Sequence, residues 1–63
     1  MRFWASTNKM TFDVEVKEKI IINSAPIGKK FIGQRFENLL RWMKKQGGLK
    51  VYCYDNGRYI EVD

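Results

Sequence analysis

The stretch Met10-Thr11-Phe12-Asp13-Val14-Glu15-Val16 decides the fold. Apolar and polar side chains alternate through it without a break. Met10, Phe12, Val14 and Val16 fall on one side, Thr11, Asp13 and Glu15 on the other, which is the period of a strand with one buried face. The preceding Arg2–Thr7 alternates as well. With Asn8-Lys9 as a two-residue loop, Thr7 pairs with Met10, Ala5 with Phe12 and Phe3 with Val14, while Trp4 lies opposite Asp13 and Arg2 opposite Glu15. Apolar then meets apolar and Arg meets Glu, whereas a slip of one residue would scramble both faces. Onward, Lys17-Glu18-Lys19 reads as a three-residue loop into a third strand, Ile20–Asn23. That loop sets Ile20 beside Val16 and Ile22 beside Val14 and turns Ile21 outward.

Ser24-Ala25-Pro26-Ile27-Gly28 breaks the pattern with proline and glycine, and Gly28–Gly33 is a connection, or a short extended piece, leading to a helix. Phe36, Leu39, Leu40 and Met43 recur at i, i+3, i+4 and i+7, one apolar stripe at helical period, with Arg41, Lys44 and Lys45 facing away. Gly33 is the candidate N-cap, a weaker one than Ser, Asp or Asn. Gly47-Gly48 after Lys44, Lys45 and Gln46 fits a left-handed end with basic residues at the negative pole of the helix dipole. Asn56-Gly57 then makes a hairpin turn that pairs Asp55 with Arg58, Cys53 with Ile60 and Val51 with Val62, leaving Tyr54 opposite Tyr59 and Tyr52 opposite Glu61. The chain reads β-β-β-α-β-β. This is an α+β domain over residues 1–63, with a small antiparallel sheet and one amphipathic helix on one face, or two small hairpins sandwiching the helix.

Size and composition exclude much. A chain of 63 residues buries about 60% of its unfolded surface, too thin a core to engulf a cofactor. Its 44% hydrophobic content argues against disorder. The longest apolar run, Ile20–Ile22, is far short of a membrane span, and MRFWASTNKM lacks the apolar core of a signal peptide. With no histidine and one cysteine, Cys53, neither an internal disulfide nor a zinc site nor a Ser/His or Cys/His pair is available within one chain. A cytoplasmic, reduced setting is expected, with no cofactor and no metal.

The charge is uneven. Residues 1–25 carry a net +1, residues 26–50 a net +6 and residues 51–63 a net −2. Lys29, Lys30, Arg35, Arg41, Lys44 and Lys45 thus concentrate positive potential around one loop and one helix. The partner this implies is nucleic acid or an acidic protein surface, set against a solvated helix face that only aids solubility. The sheet face away from the helix presents Trp4, Tyr52, Tyr54 and Tyr59 with Arg2 and Lys50 nearby. Rings beside cations suit stacked bases. The same residues also suit plain cross-strand pairing, a homodimer through the open sheet face, or a partner protein. Trp42 lies about 100–120° round the helix from the stripe's centre, near Arg35 and Gln46. That position either closes the edge of the core or offers a contact anchor.

Catalytic patterns are weak. Gly28-Lys29 ahead of a helix resembles a phosphate-cradling loop only superficially. The first glycine is missing, and Lys30 stands where Ser or Thr would hold magnesium. The seven carboxylates sit on polar strand faces, in a turn, on the helix or at the terminus, with no desolvated pair for acid–base work. Cys53, inward and opposite Ile60, reads as an inert core thiol. An enzyme is not expected.

The strings TNKMTFDVEV (7–16), PIGKKFIGQ (26–34) and LLRWMKKQGG (39–48) together resemble a group of very short, functionally uncharacterised reading frames of bacteriophages and prophages. The resemblance implies a phage or host-cytoplasm setting and assigns no site. The function expected is a small non-enzymatic binding protein acting on nucleic acid or nucleic-acid-handling host machinery through its basic helix. The alternative is a protein–protein inhibitor or adaptor of a host enzyme or defence complex, docking through exposed aromatics.

Overall fold

The computed structural model describes residues 1–25 and 30–62. Its elements are β1 (Arg2–Ser6), β2 (Thr11–Lys17), β3 (Ile20–Ala25), α1 (Phe36–Lys44), β4 (Lys50–Asp55) and β5 (Arg58–Val62). The strands form one antiparallel sheet in the order β3-β2-β1-β4-β5, so the α+β reading holds and the two-hairpin sandwich does not. β1 pairs with β4 as well as with β2, bringing the first and second halves of the chain together in the middle of the sheet.

The β1–β2 register is the one the alternation dictates, from Arg2↔Glu15 to Ser6↔Thr11. Thr7 N–H donates to the Met10 carbonyl at 2.8 Å and closes the loop. The Thr7 hydroxyl accepts from the Lys9 and Met10 amides, both at 3.2 Å. The β4–β5 hairpin likewise matches, Asp55↔Arg58 through Val51↔Val62.

β3 departs from the expected register. Its loop is Glu18-Lys19, with φ of 52° and 71°, so Lys17 pairs with Ile20 and Val16 with Ile21. Two left-handed residues form the tight turn that matches strand twist, which shortens the expected loop by one residue. Ile21 is therefore fully buried, and Ile22, expected inside, is 44% exposed. A register shift follows, Glu15 pairing with Asn23 and Val14 with Ser24, so Ile22 is the extra residue of a bulge. Ser24 arrives on the inner face, 3% exposed, its hydroxyl without a hydrogen-bond partner among the described residues.

The core joins Ala5, Phe12, Val14, Val16 and Ile21 of the sheet to Leu39 and Met43 of α1, with Phe31 closing one side. Within the stripe, Leu39 and Met43 are fully buried, while Phe36 and Leu40 are half-buried. The N-cap is Arg35 rather than Gly33 and makes no side-chain cap. Instead the Phe36 N–H donates to the Lys19 carbonyl at 2.9 Å, so the β2–β3 turn serves as the cap. At the other end Gly47 and Gly48 are left-handed as expected, and a Cβ on Gly48 would have to displace the Asn8 side chain. Glycine suits this left-handed position, where the β1–β2 loop abuts the end of the helix.

No β5 residue joins the core. Ile60 and Val62, expected to line the inner face, are 45% and 38% exposed, and Cys53 is half-buried. The inward thiol is thus beside an open strand and not in the core, because the core beneath α1 reaches β4 at Val51 and takes no residue of β5. Pro26-Ile27-Gly28-Lys29 and Asp63 lie outside the described residues, and with them most of the expected loop break and the Lys29 assignment. Among the described residues no helix is long and apolar enough to cross a membrane.

Candidate functional site

The residues singled out by sequence separate onto the two sides of the sheet. α1 and the basic side chains lie on one side. The alternation of β1, β4 and β5 puts Trp4, Tyr52, Tyr54 and Tyr59 on the other.

On the helix side, one turn of α1 and its end bring Arg41, Lys44 and Lys45 together. Lys45 follows Arg41 by four residues and Trp42 by three, so it borders both. Lys30 joins this group from outside the helix. Its ammonium lies 5.6 Å from the centre of the Trp42 ring and 5.7 Å from that of Phe31. Arg35 does not join it: it stands about 15 Å from Lys45 along the axis at 1.5 Å per residue, and its Nε pairs with the Glu37 carboxylate at 3.2 Å. Arg41 donates to the Asn38 side-chain oxygen at 3.4 Å. Among the described residues, no carboxylate lies within ion-pairing distance of Lys30, Arg41, Lys44 or Lys45. The only acidic residue of α1, Glu37, is the one already held by Arg35.

Trp42 is half-buried, its ring 5.4 Å from Phe31 and 6.3 Å from Phe12. It closes the edge of the core, and its ring neighbours there are Phe12, Phe31 and Lys30. Phe31, from the stretch expected as a connection or a short extended piece, packs against the Trp42 ring of the helix.

On the opposite side the rings form a continuous row. Tyr54 meets Tyr59 edge to face at 5.2 Å, Tyr59 meets Trp4 at 5.7 Å, and Trp4 meets Tyr52 at 5.8 Å. Trp4 and Tyr54 are more than two-fifths exposed. The charges around this row cancel. Arg2, Lys17 and Lys50 share the face with Asp13, Glu15 and Glu61. Arg2 forks onto Asp13 at 3.0 and 3.2 Å, not onto Glu15 directly opposite, because its long side chain reaches the diagonal position. That hydrogen-bonded carboxylate holds the guanidinium pKa above its ordinary value.

An open apolar groove of about 590 Å³ at the start of α1 had no sequence signal. Met1, Phe3, Val16, Ile22, Phe36 and Leu40 supply its apolar lining, with the Phe3 and Phe36 rings 4.5 Å apart. It exists because Phe36 and Leu40 are only half covered and the bulge sets Ile22 outward. Its rim has Lys17, Lys19 and Arg35 against Glu15, Glu18 and Glu37, so it favours neither sign of ligand charge. No group of three or more Cys, Asp or Glu side chains converges on a metal-sized site among the described residues.

No family model matches this chain, and no curated protein or solved structure matches it either.

Proposed function

We propose that the protein is a small, non-enzymatic, phage-type binding module of the cytoplasm that engages the phosphate backbone of nucleic acid through the end of α1. The observation that carries this reading is the cluster of Lys30, Arg41, Lys44 and Lys45, four exposed cations with no carboxylate partner among the described residues. Uncompensated cations grouped on one surface attract a polyanion and release its counterions on contact. The rings beside them are engaged elsewhere: Phe31 is buried, and Trp42 packs on the core with Lys30 over it. Binding is therefore backbone-directed and largely indifferent to sequence.

Titrations of fluorescent single-stranded and duplex DNA at several salt concentrations test this. Affinity should fall linearly on a log–log plot, at comparable slopes for both forms. Lys44→Glu with Lys45→Glu should keep the fold and reduce the slope by about 1 for each phosphate no longer neutralised. Binding by the double variant equal to that of the parent would remove α1 from the interface.

A second reading rests on the aromatic row. Stacking platforms for unpaired bases sit in positively charged grooves, whereas here the surrounding charges cancel. That balance favours a protein partner on this face: an inhibitor or adaptor role through Trp4, Tyr52, Tyr54 and Tyr59.

A further inference from the structure

The two edges of the sheet are treated differently. The β3 edge is covered: the Ile21 N–H donates to the Gln34 carbonyl at 2.9 Å, the Gly33 N–H donates to the Ile21 carbonyl at 2.8 Å, and Ile20 bridges Arg35. It also holds the bulge. These are devices that block edge-to-edge pairing. The β5 edge has neither cover nor bulge among the described residues. All five of its residues are exposed, and it contains no proline, glycine or lysine.

Which groups β5 presents follows from the ladder. Thr7 N–H bonds the Met10 carbonyl and Val16 N–H bonds the Met1 carbonyl, so odd residues of β1 bond β2. Bonding alternates along an antiparallel strand, so Trp4 and Ser6 bond their partners Tyr52 and Lys50 on β4. That leaves Val51, Cys53 and Asp55 to bond Val62, Ile60 and Arg58. Tyr59 and Glu61 are the β5 residues whose N–H and C=O point to the free edge.

We propose that this edge pairs with the β5 of a second copy, antiparallel about a two-fold axis at Ile60, making a continuous ten-stranded sheet. A two-fold normal to the sheet pairs residues of one face with residues of the same face, so few registers are open. Centring on Ile60 sets Tyr59 against Glu61 of the second copy twice. This satisfies both outward residues of both strands with four backbone hydrogen bonds. Ile60 meets Ile60 on the inner face, and Arg58 meets Val62. Centring on Glu61 would oppose two like charges, and centring on Tyr59 would leave Glu61 facing glycine. The edge is self-complementary in one register, which is why the occupant is a second copy rather than a foreign strand. The inference rests on the β5 edge and not on the polyanion reading.

Sedimentation over a dilution series should show a species of twice the 7.5 kDa chain mass that dissociates on dilution. Glu61→Pro removes an N–H that points away from β4, so it should abolish this species and leave the far-ultraviolet spectrum unchanged. In a Cys53→Ser background, Ile60→Cys places two thiols at a non-hydrogen-bonded pair about 4.5 Å apart between Cα atoms, within disulfide range. Mild oxidation should link it covalently. Val62→Cys sets its thiols about 13 Å apart and should stay unlinked. A monomer at every concentration would overturn the proposal. So would a dimer that survives Glu61→Pro in folded form, or linkage at Val62 equal to that at Ile60.

Discussion

The Lys30 ammonium sits over the Trp42 indole at 5.6 Å, so the cation that joins the cluster from outside α1 is held by the ring that closes the core. One residue thus ties the folded interior to the charged surface. Trp42→Ala should cost about 3 kcal/mol of stability, the low end for a large aromatic because the ring is half-buried. Trp42→Phe should recover much of this. Urea unfolding measures both. A Trp42→Ala variant as stable as the parent, yet weakened in binding, would make Trp42 a contact anchor after all.

Leu39 and Leu40 are neighbours with unequal burial. Leu39 is fully enclosed, whereas Leu40 borders the groove beside Phe36. Leu39→Ala should destabilise by roughly 2–5 kcal/mol, enough to unfold so small a domain. Leu40→Ala should cost about 1–2 kcal/mol, because water already reaches that side chain. Thermal melts of the two variants would rank them, and equal losses would contradict the unequal burial of the two side chains.

The Glu18-Lys19 turn places two non-glycine residues at positive φ. Left-handed backbone costs L-residues about 1–2 kcal/mol each, and Asn-Gly is the pair that best tolerates it in this turn. The double change Glu18→Asn with Lys19→Gly should therefore raise stability by about 1 kcal/mol. The Lys19 carbonyl that accepts from Phe36 is backbone and stays in place. A lower urea midpoint would show that the side chains of this turn matter more than its dihedral angles.

Tyr54 and Tyr59 pack edge to face at 5.2 Å on the open side of the sheet. Replacing both with serine should lower stability by about 1 kcal/mol by removing the cross-strand pair. It should leave DNA binding at α1 unchanged. Capture of a protein partner through the aromatic row should disappear. A selective loss of single-stranded over duplex binding would instead identify the row as a base-stacking surface.

Local period made most of this architecture legible. Alternation at two residues and recurrence at three and four are properties of short segments, so the strands, the helix and the registers of the β1–β2 and β4–β5 hairpins followed from residues near one another in the chain. The Arg41–Lys45 cluster and the aromatic row followed from the same counting, since period alone assigns a side chain to a face. Other features depended on contacts between distant segments. The β1–β4 pairing joins residues nearly 50 positions apart. The Glu18-Lys19 turn is held by the start of α1, and that contact moved Ile21 into the core and Ile22 out of it. Trp42 joined the core because Phe31, eleven residues earlier, packs beside it. The sequence by itself determined the elements and their faces. Only the tertiary structure decided which faces were covered, because the core beneath one short helix takes no residue of β5 and leaves that edge open.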